Sequence, residues 1–550
     1  GIQTFPTRSP IFLHSPTKEK MEVTTFAALI FLTLLTLLLI LAKLSNRRRR
    51  RAAGLPPGPK PWPIIGNLNL IGALPHQSLH KLSQQYGAVL HLKFGSHPVV
   101  VVSSPAMAKQ VLQTNDHLLA GRPMTAAGKH TTYNYSNITW APYGPYWRQG
   151  RKIYLHELFT SRRLESCEYV RVEERRAFLA CLFSLRGGGE VVLKDHLSRF
   201  TLSVISRIVL GRKYFRDDDD EMNTVRDGSN GRKKKDELVT LEEFQGMLDE
   251  LFLLNGVLNI GDWIPWLGFL DLQGYVRRMK DLKVKFDRFH GVVLEEHREA
   301  ARVGGVGKDM VDHLLRLAED PSLEVKINDD GVRGFIQDLI AGGTDTSATT
   351  VEWAMSELMK QPHLIHKAND ELDAVVGRHR WVEEADLPRL PFINAIMKET
   401  MRKHPVAVLL APHLALDDCT IGGYHVAKGT RVFINTWSMG RDPTVWAEPD
   451  EFRPERFLAA GFGKGVGVKG QSFELLPFGS GRRMCPGYSL GLKMIESSLA
   501  NLLHGFKWEL GGGFTPERLG MEEVYGLATP RKFPLVVVVE PRLPVDLYRV

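Results

Sequence analysis

One cysteine has neighbours that change its chemistry. Cys485 stands in residues 477–492 (PFGSGRRMCPGYSLGL), after a tight loop of Phe478, Gly479, Ser480 and Gly481 and directly before Pro486. Proline is favoured at the first position of a helix. Leu492, Ile495, Leu499, Leu502 and Phe506 follow at spacings of three and four, the period of a buried helix. This pattern places Cys485 at a helix N-terminus, where free N–H groups and the positive end of the dipole favour a thiolate. Arg482 and Arg483 add positive charge beside it. A thiolate so placed is the anionic ligand that an axial iron site requires, and glycines let the backbone approach a flat group closely. A single cysteine is more often an inert buried thiol. Here Phe478, Gly481, Arg483, Cys485 and Gly487 complete the pattern F-x-x-G-x-R-x-C-x-G, which is too specific for that reading.

Three further constellations stand upstream. Residues 335–358 form a long apolar-periodic helix interrupted by Gly342 and Gly343, each costing about 1 kcal/mol against alanine in a helix interior. Such a cost implies close packing or an opened hydrogen-bond ladder. Asp345 and Thr346 follow at once; a carboxyl and a hydroxyl side by side can relay protons, although a threonine bonded back to its own helix is the commoner finding. Glu399 and Arg402 form an E-x-x-R pair on one helix face, with Arg456 further on in FRPERF. Trp147 and Arg151 share a helical face in YGPYWRQGRK, and an arginine beside an indole N–H is a donor set for a carboxylate.

Taken together, the Cys485 segment resembles the signature of the cytochrome P-450 superfamily of haem-thiolate monooxygenases. The run from Gly342 to Ser347 resembles that family's oxygen-activation motif, with Asp345 and Thr346 both kept. The resemblance runs from the N-terminal apolar segment to the C-terminus, and its main motifs occur in the family's order. It implies a mainly α fold with a small β part, a single large haem-thiolate monooxygenase domain preceded by one transmembrane helix. It implies haem b ligated by Cys485, with Phe478, Gly481 and Gly487 shaping the loop and Trp147, Arg151, His413 and Arg483 on the propionates. Glu399, Arg402 and Arg456 would form a structural ionic cluster. Ile336, Leu339, Val406, Val408, Leu409 and Leu527 would line the substrate pocket, with polar help from residues 131–139 and Thr529. TYNYSNITWAPYGPYWRQGRK and DWIPWLGFLDLQGYVRRMK look like a plant microsomal branch of flavonoid-hydroxylase-like and terpenoid-cleaving enzymes. The expected reaction inserts one oxygen atom from O2 into a lipophilic plant metabolite. A terpenoid alcohol is favoured over a flavonoid or other phenolic, because the expected pocket walls are almost wholly apolar. No dinucleotide fingerprint occurs, so electrons from NADPH must come through a separate haem-thiolate reductase, with cytochrome b5 as a further donor. Arg148, Lys152, Arg482 and Lys493 form a candidate docking face for such an acidic partner.

The elements that must carry these residues follow from the rest of the chain. It has 550 residues, 43% of them hydrophobic, and a net charge of +9, enough for a large core and without the spread of basic residues that a nucleic-acid binder carries. Its 4 cysteines form no C-x-x-C pair, so neither a disulfide framework nor a zinc site is indicated. Residues 1–20 read as a non-native or lumenal leader. Residues 21–42 read as an anchor, uncharged from 23 to 42 and long enough to cross the roughly 30 Å hydrocarbon core. Basic residues follow it, Arg47 to Arg51 among them, which puts the C-terminal side in the cytosol. Residues 43–67 form a basic, proline-rich hinge, and 68–550 the catalytic domain. The location implied is the endoplasmic reticulum membrane, single-pass, with a cytosolic catalytic domain. The sequons at Asn134 and Asn137 then stay unmodified. Residues 216–235 read as a charged loop and 461–470 as a surface loop. Residues 261–270 carry Trp263, Trp266 and Phe269, and aromatic rings of this kind favour a membrane interface. β-like runs occur at 89–94 with 99–102, at 430–435 and at 535–539. Two rival classes remain: a haem-thiolate isomerase or dehydratase that needs no O2, against which the proton-relay pair argues, and a non-catalytic haem-binding protein.

Overall fold

The computed structural model describes residues 54–216, 239–303, 309–458 and 463–549, with a few isolated positions elsewhere. The described chain divides into a small unit (Gly1–Leu55 with Gly423–His425) and a large one (Pro56–Gly422 with Val426–Val550). In the small unit Leu29, Ile30, Thr33, Thr36 and Leu37 are helical. Most of the expected anchor, 21–42, lies outside the described residues, as does nearly all of 216–235. Among the described residues no helix is long and apolar enough to cross a membrane.

The large unit is mainly helical, with its core around one long helix, Asp329–Lys360. Asn328 caps it, its side chain accepting from the Gly331 N–H at 2.9 Å, and Asp329 and Asp330 in the first turn suit the positive end of the dipole. This helix crosses the Leu193–Leu210 helix at a close approach. A Cβ on Gly343 would stand 2.4 Å from Ile205 Cδ1, whereas one on Gly342 would meet nothing. Of the two glycines, one lets a neighbouring helix in and the other faces open space. The helix stays continuous through both, so the helix cost of Gly343 is answered by packing rather than by a broken ladder.

Strands form where β-branched residues alternate or cluster. Val89–Phe94 pairs antiparallel with His97–Val102, which runs parallel to Arg431–Ile434, and this strand takes His413–Leu414 at its other edge. The sheet thereby fixes His413 opposite Val432. A second sheet pairs Phe506–Leu510 with Val536–Pro541, which pairs in turn with Val191–Val192. Phe506, which the periodicity would leave on the helix, opens a strand instead, because the Tyr488–Gly505 helix ends one residue before it.

The Pro391–Lys403 helix holds Glu399 and Arg402, both fully buried. Arg402 Nε donates to Glu399 at 2.7 Å and Nη2 at 2.8 Å, a bidentate pair, and Arg456 Nε reaches the same carboxylate at 3.1 Å. Arg402 spends its other donors on the carbonyls of Gly440, Pro449 and Glu451. This cluster ties the helix to the meander around Arg456. Removing one partner strands a buried charge. Glu399→Ala should therefore lose about 3–5 kcal/mol of stability, read as a lower urea midpoint at unchanged slope; a loss below about 1 kcal/mol would show that the cluster does not hold this part of the core.

Candidate active site

A cavity of about 340 Å³ opens between the long helix and the Cys485 loop. The long helix contributes Asp338, Leu339, Gly342, Gly343, Thr346, Ser347 and Thr350, one face at spacings of three and four. Opposite it lie Pro477 to Ser480 and Arg483 to Gly487.

The loop owes its shape to two backbone facts. Cys485 N–H donates to the Phe478 carbonyl at 2.9 Å, and Met484 N–H to Gly481 at 3.1 Å. Gly481 has φ of 70°, and a Cβ there would stand 2.2 Å from the Leu112 carbonyl oxygen, so only glycine fits. Arg482 turns outward and binds Asp116 at 2.7 Å. The helix begins at Tyr488 rather than at Pro486, so Cys485 precedes the helix by a turn that includes Pro486 and Gly487. Its electrostatics differ accordingly from those of a thiol capping a helix. Burial pushes the Cys485 thiol up, while the Gly487 N–H and the charge of Arg151 pull it down.

Four basic side chains line the same cavity: Arg122, Arg151, His413 and Arg483. Arg483 donates to the carbonyls of Ala120 at 2.8 Å, Ile138 at 3.2 Å and Ala141 at 2.7 Å, and lies 4.4 Å over the Trp147 ring. Burial, and then the like charges of Arg122 and Arg151, hold its pKa down to about 8. Arg122 donates to the carbonyls of Thr139, Ala411 and Pro412; burial holds it down to about 10. His413 Nδ1 donates to the Leu119 carbonyl at 2.7 Å, which leaves Nε2 as the bare nitrogen of a neutral ring. Burial, then the Arg122 charge, hold its pKa down to about 3. Arg151 meets no hydrogen-bond partner among the described residues, and burial lowers its pKa. Trp147, on the same Pro145–Ile153 helix, gives its indole N–H to the Ile138 carbonyl at 3.1 Å, so a carboxylate would have to compete for it.

Asp338 is the one carboxylate on this wall. It accepts from Asn137 Nδ2 at 2.8 Å, Ile138 N at 2.8 Å, and Thr139 N and Oγ1, both at 3.1 Å. Burial nevertheless raises its pKa to about 6, outweighing the four donors. Asn137 is buried and spent on Asp338, so its sequon is closed off.

The structure sorts the sequence-derived residues. Cys485, Phe478, Gly487, Arg483, Trp147, Arg151, His413, Thr346, Leu339, Val406 and Leu527 all line the cavity. Gly481 shapes the loop from behind it. Asp345 does not line it. The Asp345 carboxylate is paired with Lys194, whose ammonium also donates to Thr349 at 2.9 Å, and Thr346 donates to the Gly342 carbonyl at 2.8 Å. Ile336 lies off the lining face of its helix and is fully buried in the core. In the extended segment Val406, Ala407, Leu410 and Ala411 face the cavity. Val408 is buried away from it, and Leu409 packs with Phe433 and Trp263 instead. Ile205, Ile208, Val209 and Phe252 complete the apolar wall; a burial period alone does not say which cavity a helix faces. Arg122 and Asp338 were equally silent in the sequence.

The cavity's lining fits a dianionic, flat, iron-bearing group: it holds a thiol and three guanidiniums, and one of these has no hydrogen-bond partner among the described residues. Cys485 would hold the iron and Arg151 and Arg483 the carboxylates, with Arg122 and His413 lining the same cavity. Two outcomes follow. Arg151→Gln should at least halve haem content per chain, measured as pyridine haemochrome, with Arg151→Lys partly restoring it; unchanged content would remove Arg151 from the cradle. Asp338 has its folded pKa raised above its unfolded value, so its contribution is present at low pH and is lost as pH rises through about 6. Comparing wild type with Asp338→Asn by urea unfolding, the wild type should lose on the order of 2 kcal/mol relative to the variant between pH 4 and pH 7, after discounting for the cavity. A flat difference would mean that Asp338 is not the titrating group.

The comparisons with known proteins point the same way. The family model for cytochrome P-450 matches residues 56–535. Trimethyltridecatetraene synthase and dimethylnonatriene synthase of Zea mays are each 46% identical to this chain, over 90% of it and 90% and 93% of their own lengths. Flavonoid 3'-monooxygenase of Petunia hybrida is 41% identical over 90% of this chain and 93% of its own. A solved zebra fish cytochrome P-450 with abiraterone superposes with a TM-score of 0.69 at 28% identity, covering 86% of this chain and 100% of that one. The chain belongs to the cytochrome P-450 family.

Proposed function

We propose that this monooxygenase acts on a lipophilic terpenoid alcohol. The observation that carries the reading is the wall on the substrate side. Ile205, Ile208, Val209, Phe252, Leu339, Val406, Leu410 and Leu527 form it, and none offers a hydrogen bond. The polar groups nearby are largely spent: Thr346 on Gly342, Asp338 on residues 137–139, and Thr131 and Thr132 on the carbonyls of Ala127 and Gly128. A buried phenol without a partner costs about 1–3 kcal/mol, and a flavonoid carries several. An alcohol with one hydroxyl on a hydrocarbon body meets that wall at lower cost. The relatives are named for both classes, terpene-derived products and flavonoids.

Haem b, held by Cys485, supplies O2 activation with electrons passed from NADPH by a separate reductase. The chain's residues do the rest. Gly342 leaves space over the helix, and Thr346 stands at that opening with its hydroxyl oxygen fixed by the Gly342 carbonyl. Asp345 holds an acidic group one residue behind, on the Lys194 side. On release of its hydroxyl from the Gly342 carbonyl, Thr346 can hand a proton into the cavity and be recharged from outside its wall. Apolar side chains exclude bulk water, which would otherwise take the protons elsewhere.

Residues 21–42 are proposed as the membrane anchor, placing the enzyme at the endoplasmic reticulum with its catalytic body in the cytosol. A second lipid contact is proposed for an exposed apolar patch. Of the aromatic residues in 261–270, Trp263 is core at 4% exposed, but Trp266 and Phe269 are 60% and 83% exposed. Trp62 and Ile64 are equally bare, at 65% each. Both segments hydrogen-bond to one turn: Gly95 N–H donates to Ile65 at 3.0 Å and Ser96 N–H to Trp263 at 2.8 Å. A patch of this kind on one turn suits a bilayer surface. Of the candidate docking residues for the reductase, Lys493 is paired with Glu384 and Arg482 with Asp116, so Arg148 and Lys152 are the stronger members.

With reductase, NADPH and both substrate classes at equal concentration, the terpenoid alcohol should be consumed at least about tenfold faster than the flavonoid, a difference worth ~1.4 kcal/mol. Turnover of the flavonoid alone would overturn the substrate assignment.

A further inference from the structure

Beside the main cavity lies a smaller chamber of about 50 Å³. Leu410, Ala411 and Leu527 line both spaces. At the volume one small atom group needs, the chamber has room for on the order of four heavy atoms. Most polar groups on its own walls are satisfied. Asp262 accepts from Ala126 N–H at 2.7 Å, and Arg431 donates to the Asp262 carbonyl at 2.8 Å while lying 4.2 Å over the Trp263 ring. Thr125 accepts from Gly128 N–H at 3.1 Å.

Asn255 is different. Its Nδ2 donates to the Leu251 carbonyl at 2.8 Å and to the Thr131 hydroxyl oxygen at 3.1 Å. A carbonyl only accepts, so the nitrogen must face Leu251 and the amide cannot be turned over. That leaves Oδ1 buried and without a partner. The Thr131 proton is already given to the Ala127 carbonyl at 2.8 Å, so it cannot fill the gap. Tyr525 lines the same chamber, and its hydroxyl meets no partner among the described residues. A buried acceptor left unpaired is a standing cost, and a ligand bringing a donor removes it.

We propose that this chamber is the subsite for the hydroxyl group of the lipophilic alcohol. The O–H donates to Asn255 Oδ1, and the hydrocarbon body passes Leu410, Ala411 and Leu527 into the main cavity. A hydroxyl accepts as well as donates, so Tyr525 can donate to the same oxygen. Asn255 is then a specificity-determining residue, selecting alcohols over hydrocarbons and ethers of equal shape. The inference rests on the alcohol reading given above and adds the group that recognises the hydroxyl.

The test uses the haem-loaded protein and two probes, an acyclic tertiary terpenoid alcohol and its methyl ether. Dissociation constants are read from the ligand-induced absorbance change and, independently, from quenching of tryptophan fluorescence. The wild type should bind the alcohol at least about fivefold more tightly than the ether. Asn255→Leu should abolish that preference by weakening the alcohol alone. Val257→Phe fills the chamber without altering the amide and should do the same. No preference in the wild type, or one that survives in both variants, overturns the subsite. If neither probe binds, the terpenoid reading fails; a phenol and its methyl ether then take their place, and an absent or Asn255-independent preference there overturns the subsite as well.

Discussion

The site depends on one buried anion. Asp338 grips four donors on three consecutive residues, Asn137 to Thr139. The carbonyl oxygens of that strap then face the other way. Ile138 accepts from Trp147 and Arg483, and Thr139 from Arg122. One carboxylate on the long helix thus orients the acceptors that hold two guanidiniums and an indole. It does so at a cost in its own ionisation, since burial outweighs the four donors. Polar networks in a low dielectric are stiff when every member is satisfied, and this one crosses from the helix wall to the cationic rim.

The cations explain why that stiffness is needed. Arg122, Arg151 and Arg483 sit close enough for Arg483 to feel the other two, and desolvation has lowered all three. Carbonyl dipoles hold two of them without neutralising either. A buried charge is tolerable when paired, and the group that the family binds brings two carboxylates. The three desolvated guanidiniums that line the cavity suit an occupant that brings such carboxylates. The Glu399, Arg402 and Arg456 cluster is the contrast: it is complete within the chain, does not line this cavity, and only holds backbone together.

Whether a residue could be read from the sequence depended on whether its role was local. The Cys485 loop was legible because glycine at φ of 70° and a proline after the cysteine are constraints of a few adjacent residues. The long helix and the strands were legible because burial repeats at 3.6 or at two. What failed needed tertiary facts. Pro486 could open a helix, yet the chain makes one more turn before Tyr488. Ile336 and Leu339 are equally apolar on one helix, and only the neighbours decide that one faces core and the other the cavity. Trp263 and Phe269 look alike in sequence, but the first packs on Phe94 and Phe433 while the second has nothing over it. Arg122 and Asp338 gave no signal at all, because each finds its partners far along the chain.

The two glycines of the long helix join packing to chemistry. Gly343 lets the Leu193–Leu210 helix approach until Ile205 occupies the place of a side chain. That approach brings Ile205, Ile208 and Val209 onto the cavity wall, and with them the apolar character on which the substrate reading rests. It also brings Lys194, from the start of the same helix, against Asp345. A bulkier residue at position 343 would move both at once. The apolar wall of the cavity and the ion pair of Asp345 with Lys194 are therefore two results of one close contact, and neither could be altered there without the other.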